Sequence, residues 1–187
     1  MPSGAIRTYA TTRIALARWG FWPEQWKRSR RNHAMINARL ETAAEKPMFS
    51  SSFSGRHCLV LADGYYKWRT AGGRKESYRI TMKTGEPFAM AGIYAREPTE
   101  YDTAERNPVN FAILTTKAND AVNHIHERIP VILPLGREKD WLVPNTPGPF
   151  FMPEFPADLL TSYLVTPRYI GPPSTPGSDR PLKPAIS

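Results

Sequence analysis

Short apolar segments separated by polar residues and turn signals recur along most of the 187-residue chain. The alternation between Arg13 and Trp19, with a period of two, predicts a half-buried strand. Apolar or alternating runs predict further strands at 57–61, 65–68, 77–82, 88–94, 109–115, 131–133 and 163–165. Many strands with few, brief helices favour an α+β fold with a curved, mainly antiparallel β-sheet or barrel-like core and short peripheral helices.

Turn and capping residues predict how these strands are connected. Thr84-Gly85-Glu86 predicts a hairpin between the strands on either side of it. Short helices are expected at 23–27, 41–46, 119–125 (capped by Asn119) and 136–142. Prolines become frequent beyond Val143. We therefore expect a single domain over residues 1–170, followed by a Pro-rich tail at 171–187.

The net positive charge of the chain indicates which kind of molecule it binds. The chain has 25 Lys and Arg against 17 Asp and Glu, a formal net charge of +8, which favours polyanions. Several of these cations lie among Trp19, Trp22 and Trp26, and cations interleaved with aromatic rings suit single-stranded nucleic acid. A solvated basic surface with the tryptophans packed in the core explains the same composition equally well.

Neither a membrane protein nor a secreted one is indicated. The chain has no apolar run of the roughly 18 residues that a transmembrane helix needs, and its first residues do not resemble a signal peptide. Cys58 is the sole cysteine, so no internal disulfide can form, and a cytoplasmic protein is expected, nucleoid-associated when bound to DNA. His124 and His126 have no second cluster of ligands, so no metal and no other cofactor is expected.

Eight segments in a fixed order resemble one known family. They are RWG at 18–20, INAR at 36–39, ET at 41–42, CLVLADGYYKW at 58–68, AGIY at 91–94, ILTTKAN at 113–119, IHERIP at 125–130 and WL at 141–142. Together they resemble the SRAP family, the SOS-response-associated peptidase-like proteins that guard abasic sites in single-stranded DNA. The peptidase label implies self-removal of a leading residue.

The resemblance also implies a chemistry. Family members expose an N-terminal cysteine, whose amine attacks the abasic-site aldehyde and whose thiol closes a thiazolidine, crosslinking protein to DNA. Asn37 and His126 stand at the positions of the family's catalytic Asn and His, whereas Lys67 stands where the family has Glu. The chain starts Met1-Pro2-Ser3, with a shortened lead-in before Arg18. We therefore expect a DNA-binding protein that is crosslinking-defective, in effect a pseudoenzyme.

Lys67 and Pro2 leave an enzymatic alternative open. Either amine could form an imine with the abasic aldehyde, although a lysine near pKa 10.4 is only ~0.04% neutral at pH 7. A phosphate contact or a solvated cation are the other interpretations of Lys67. Cys58 lies in an apolar strand, where a free cysteine behaves as a small hydrophobe.

The expected partner is single-stranded or junction DNA, bound by a monomer. The residues that the resemblance assigns to DNA contacts are Arg18, Trp19, Arg39, Trp68 and Thr115. Trp19 and Trp68 could equally be core aromatics, and Asn37 could satisfy backbone groups in a turn. A non-DNA interaction protein that uses its aromatic surface and proline-rich tail is the third alternative.

Overall fold

The computed structural model describes residues 14–23, 34–96, 109–143 and 153–165. Within these ranges lie nine strands: β1 Ala17–Trp19, β2 Asn37–Arg39, β3 His57–Ala62, β4 Tyr65–Ala71, β5 Arg74–Met82, β6 Phe88–Arg96, β7 Val109–Lys117, β8 Arg128–Pro130 and β9 Leu160–Val165. The short helices are α1 Leu40–Ala43, α2 Ser50–Phe53 and α3 Glu138–Leu142, and a 3₁₀ turn at Ala157–Leu159 precedes β9. None of these helices has the length and apolar character to cross a membrane.

Strand β7 organises a six-stranded sheet. On one side it pairs in parallel with β1 and then β2, and on the other it pairs antiparallel with β6 and then β8. Strand β3 extends the sheet from β6. After β8 the chain leaves β7 for β6, where Ile132 bridges Met90 and the Leu133 N–H donates to the Ala89 carbonyl at 2.9 Å. This transfer curls the sheet, and the predicted α+β fold with a curved, mainly antiparallel core is confirmed.

A second, three-stranded sheet of β4, β5 and β9 is antiparallel throughout. Its inner face presents Ile80 and Leu160 to Val60 and Ile113 of the six-stranded sheet, and these side chains belong to one buried cluster. We call this cluster the inter-sheet core. The other face of the six-stranded sheet packs against the short helices, including Trp141 of α3. Burial of side chains from both sheets is therefore what holds them face to face.

Three local predictions are wrong. The turn at Gly85 does not form a hairpin, because β5 and β6 lie in different sheets. Strand β5 instead forms a hairpin with β4. Gly72 and Gly73 make that turn, and their positive φ values (55° and 76°) suit glycine. Residues 119–125 form consecutive turns instead of a helix, and the Asn119 amide donates to the Phe155 carbonyl at 2.8 Å. Residues 131–133 make a single bridge and no regular strand.

The other predicted elements are mostly confirmed. Apart from residues 131–133, strands occur in the predicted places, with the first limited to Ala17–Trp19. Helices at 41–46 and 136–142 are present as the shorter α1 and α3. The expected helix at 23–27 and the tail at 171–187 lie outside the described residues, apart from Pro23.

Candidate nucleic-acid interface

The parallel pairing of β2 with β7 places three predicted site residues, Asn37, Arg39 and Thr115, on one face. Asn37 lies opposite Ile113, and Arg39 lies opposite Thr115. Because paired residues share a face of the sheet, Asn37 and Thr115 lie on the face that carries Ile113 and the inter-sheet core. Strand β8 continues this face, since it pairs antiparallel with the end of β7.

Arg128, the first residue of β8, anchors this region. Its Nη2 pairs with Glu41 Oε2 at 2.7 Å and donates to the Thr115 carbonyl at 2.5 Å, while its Nε donates to Thr115 Oγ1 at 3.2 Å. Although burial raises the pKa of Glu41, the hydrogen bond and charge of Arg128 outweigh it and lower that pKa. These bonds fix the guanidinium in one orientation at the rim between the sheets.

Lys67 approaches the same rim from the second sheet. It lies on β4 two residues after buried Tyr65, so its side chain shares the inner face of the three-stranded sheet. Burial, and then the charge of Arg128, lower the pKa of Lys67. Among the described residues no carboxylate pairs with this half-buried amine. Lys67 is therefore a cation whose charge no carboxylate in the described part of the chain compensates.

His126 lies near Lys67 and Arg128. Its Nδ1 lies 3.0 Å from the backbone nitrogen of Arg128 and 3.1 Å from the Arg128 carbonyl oxygen, so Nδ1 accepts from the N–H in one neutral tautomer and donates to the carbonyl in the other. Burial, followed by the charge of Lys67, lowers the pKa of His126, while the nearby Glu127 raises it. Lys67, His126 and Arg128 are thus close enough for their charges to interact, and we call them the cationic cluster.

Asn37 lies half-buried on the face that Thr115 and Arg128 share. Within the described part of the chain its side-chain amide makes no hydrogen bond. The Trp19 indole N–H donates to the Ile36 carbonyl at 2.7 Å, which holds the ring beside Asn37. An amide donor and acceptor and a half-buried aromatic ring therefore occupy the same face as the cationic cluster.

Trp68 and Arg18, two of the predicted DNA contacts, lie on other faces of the two sheets. Trp68 points to the outer face of the three-stranded sheet, because it alternates with Lys67 along β4. Arg18 pairs with Asn110, on the face of the six-stranded sheet away from the inter-sheet core. Arg39 is exposed at the end of β2, opposite Thr115. Pro2 lies outside the described residues.

Arg128 also lines a cleft of about 830 Å³. Its walls carry both signs of charge and an apolar end, from Arg39, Lys117, Arg128, Asp120, Glu127, Glu154 and Phe155. Asn37, Lys67 and His126 do not line it. The cleft and the cationic cluster are therefore two neighbouring features that share Arg128.

No set of three His, Cys, Asp or Glu side chains in the described ranges is arranged to hold a metal ion. Cys58 is fully buried in β3, and burial raises the pKa of its thiol. The structure thus offers charged and hydrogen-bonding groups at the rim, and no accessible thiolate from this cysteine.

Arg128 and Glu41 were missed as site residues by sequence reasoning. Arg128 stands two residues after His126, a spacing that puts both side chains on one side of an extended segment. That spacing was the available signal. The pairing of Arg128 with Glu41 joins residues 87 positions apart and has no local signature.

Comparison with known proteins identifies the family of the chain. The family model of the SOS response associated peptidase (SRAP) matches residues 3–168. The abasic site processing protein YoqW of Bacillus subtilis is 35% identical over 167 residues, covering 86% of this chain and 73% of YoqW. The abasic site processing protein YoaM of the same organism is 33% identical over 167 residues, covering 86% of this chain and 72% of YoaM.

A solved structure supports the same relationship. A crystal structure of a protein from Bordetella bronchiseptica superposes with a TM-score of 0.74 at 29% identity, covering 88% of this chain and 84% of that one. The residues that the family model matches include both sheets and the cationic cluster. The chain therefore belongs to the SRAP family.

Proposed function

We propose that this protein binds single-stranded or junction DNA and handles abasic sites, with the cationic cluster as the contact to the DNA backbone. The observation that carries the proposal is the half-buried, uncompensated charge of Lys67 next to His126 and Arg128. Relatives that are abasic site processing proteins support the choice of substrate. The formal net charge of +8 supports the choice of a polyanion.

Each residue has a distinct task in this proposal. Arg128, held by Thr115, presents a fixed guanidinium to a phosphate. A phosphate beside Lys67 supplies the missing negative charge, so DNA binding raises the pKa of Lys67. His126 presents Nε2 to a sugar or phosphate oxygen, as a donor in the tautomer whose Nδ1 accepts from the Arg128 N–H. Asn37 offers an amide to the sugar or to the edge of a base.

We further propose that these 187 residues do not crosslink DNA through a thiol. Their only cysteine, Cys58, is buried in β3, and Gly92 lies so close to it that a Cβ at position 92 would stand 2.9 Å from Cys58 Sγ. A thiol packed this tightly cannot reach a sugar aldehyde at the rim. Lys67 replaces the acid that the family resemblance implies at this position, which removes a proton donor from the same chemistry.

Fluorescence anisotropy with labelled oligonucleotides tests DNA binding. We expect salt-sensitive binding to single-stranded and junction DNA, and weaker binding to plain duplex. An Arg128→Ala variant should lose affinity, whereas Arg137→Ala, which removes an exposed arginine from a surface ion pair, should not. Equal affinity for single strand and duplex, or for Arg128→Ala and the parent protein, contradicts the proposal.

A second candidate function is imine formation at Lys67. The observation that favours it is the lowered pKa of this lysine beside Arg128, since a neighbouring cation increases the neutral fraction of an amine. The amine nitrogen attacks the aldehyde carbon of the ring-opened abasic sugar. Proton transfer and loss of water from the carbinolamine then give the imine. Pro2, outside the described residues, is the other amine that this function could use.

Borohydride trapping on abasic DNA tests imine formation. A Lys67 imine predicts a reduced, denaturant-stable adduct whose peptide contains Lys67, and its loss in Lys67→Arg, which keeps the positive charge. An adduct mapped to Pro2 assigns the chemistry to the terminal amine. Absence of any adduct, with abasic DNA bound normally, excludes imine chemistry and leaves the binding function in place.

We also propose that the protein acts as a cytoplasmic monomer in the response to DNA damage. Size-exclusion chromatography with light scattering, with and without oligonucleotide, tests the oligomeric state. A mass of one chain supports the proposal, and a stable dimer contradicts it.

A further inference from the structure

The outer face of the three-stranded sheet carries exposed aromatic rings that point away from the cationic cluster. Tyr66 and Trp68 lie two residues apart on β4, and Tyr163 lies on β9. Their exposed fractions are 38%, 46% and 36%. Tyr66 and Tyr163 stand on either side of Arg79 of β5, which is directly paired with both of them. Because paired residues share a face, the three rings form one surface.

This surface is held in place by polar contacts. Arg79 Nη1 donates to the Tyr163 hydroxyl at 3.0 Å, and Arg79 Nη2 pairs with Asp63 Oδ2 at 2.8 Å. The two bonds fix the guanidinium between the tyrosines. Lys75 adds a second cation to the same face, since it lies opposite Thr70 and is exposed.

The spacing suits the bases of a single strand. Residues two apart on a strand are separated by about 7 Å, and neighbouring strands by about 5 Å. The separation of Tyr66 and Trp68 therefore corresponds to about two nucleotide steps of ~3.4 Å. Exposed aromatics on a sheet face are a recurrent stacking platform for unpaired bases, and Lys75 supplies a charge complementary to phosphates.

We propose that Tyr66, Trp68 and Tyr163 form a second binding surface, on which bases of the single strand that flanks the abasic site stack. The inference rests on the proposed DNA-binding function and adds to it. Within the described residues β4 pairs only with β5, so its other side is an open edge. Lys67 and Trp68 lie next to each other at this edge on opposite faces. One strand can thus pass from the cationic cluster around β4 to the aromatic rings.

The test compares two lengths of oligothymidine: one of about four nucleotides, enough for the cationic cluster, and one of about sixteen. Each stacked base is worth about fivefold or more in affinity, so Tyr66→Ala/Tyr163→Ala should lose at least that factor for the long oligonucleotide. Affinity for the short one should not change. Tyr163→Phe keeps the ring and should bind like the parent. Leu164→Ala removes an exposed side chain next to Tyr163 on the opposite face and is the matched control.

The outcomes separate the two binding surfaces. Unchanged long-oligonucleotide affinity in the double variant overturns the aromatic surface. If instead Arg128→Ala leaves short-oligonucleotide affinity unchanged while the double variant loses long-oligonucleotide affinity, the cationic cluster fails and the aromatic surface stands. No binding of either length by the parent protein overturns both. Photocrosslinking of the parent with iodouracil-substituted oligonucleotide does not depend on the folding of a variant. We expect adducts on Tyr66, Trp68 or Tyr163, and adducts confined to other residues overturn the proposal.

Discussion

Lys67 and Trp68 are consecutive in the chain but project from opposite faces of β4. Lys67 points between the two sheets, where its charge interacts with Arg128 and His126. Trp68 points outward and is 46% exposed. The alternation of side chains along β4 thus places neighbouring residues of this segment on two different surfaces. The sequence motif groups Lys67 and Trp68 in one site, whereas the fold places their side chains on two different surfaces.

Replacement of Arg128 tests the anchor of the rim. Arg128→Ala removes hydrogen bonds to Thr115 and leaves Glu41 without its cation, so we expect a loss of about 1–2 kcal/mol in the free energy of unfolding. The loss is limited because Glu41 is partly exposed and can be solvated. Urea denaturation measures it. Arg137→Ala breaks an exposed ion pair and should change the value by less than about 0.5 kcal/mol. Equal losses in both variants would contradict a special role for Arg128.

The charge of Lys67 should be visible in the titration of His126. Since that charge helps to lower the pKa of His126, Lys67→Met should raise it toward the usual 6.5. In the parent protein the folded state binds fewer protons than the unfolded chain between the lowered pKa and 6.5. The His126 contribution to stability is therefore complete above pH 6.5 and is lost as the pH falls through the folded pKa. In Lys67→Met this loss becomes smaller.

Nuclear magnetic resonance of the His126 ring protons gives that pKa directly. The parent and Lys67→Met are titrated side by side, and Lys75→Met, which removes an exposed cation from the outer face of the other sheet, serves as control. We expect the control to titrate like the parent. If Lys67→Met leaves the His126 titration unchanged, the two side chains do not interact as described.

Removal of the Lys67 charge should have opposite effects on the stability of the protein and on its affinity for DNA. The half-buried amine has no carboxylate partner among the described residues, so Lys67→Met should raise the free energy of unfolding by about 0.5–1 kcal/mol. The same change removes a phosphate contact and should lower the affinity for single-stranded DNA. Thermal unfolding and anisotropy on one preparation measure both effects. A variant that loses both stability and affinity would show that Lys67 has a structural partner.

Local sequence pattern predicts the strands well because a strand's period of two depends on which side chains are buried. The same pattern does not predict which strands pair with each other. The turn at Gly85 is compatible with a hairpin, yet β5 pairs with β4 and β9, because burial of Ile80 against the six-stranded sheet decides the pairing. A turn specifies the reversal of the chain and leaves open which strand lies beside it.

The same limit applies to the site. Motifs indicate Asn37, Lys67 and His126 as site residues, and the fold puts the first two on the inner faces of two sheets and His126 two residues before β8. The ion pair of Arg128 with Glu41 depends on tertiary packing across 87 positions, so no local pattern could predict it. At Asn119 a local pattern gives a wrong prediction. The residue favours a helix cap in isolation, but in the fold its side-chain amide donates to the Phe155 carbonyl.

Trp141 locks α3 onto the sheet that supports the site, and its replacement should be the most destabilising of these changes. Its indole N–H donates to the carbonyls of Cys58 and Gly92 at 3.1 and 3.3 Å, and its ring stacks on His57 with centroids 3.9 Å apart. Trp141→Phe leaves a cavity and removes that donor from a buried region, which should cost about 2–4 kcal/mol. Urea denaturation measures the loss. Trp68→Phe makes the same chemical change at an exposed ring and should cost less than about 0.5 kcal/mol. Because the two sites differ in burial and in the contacts of the indole ring, equal costs would mean that Trp141 is not the anchor of α3.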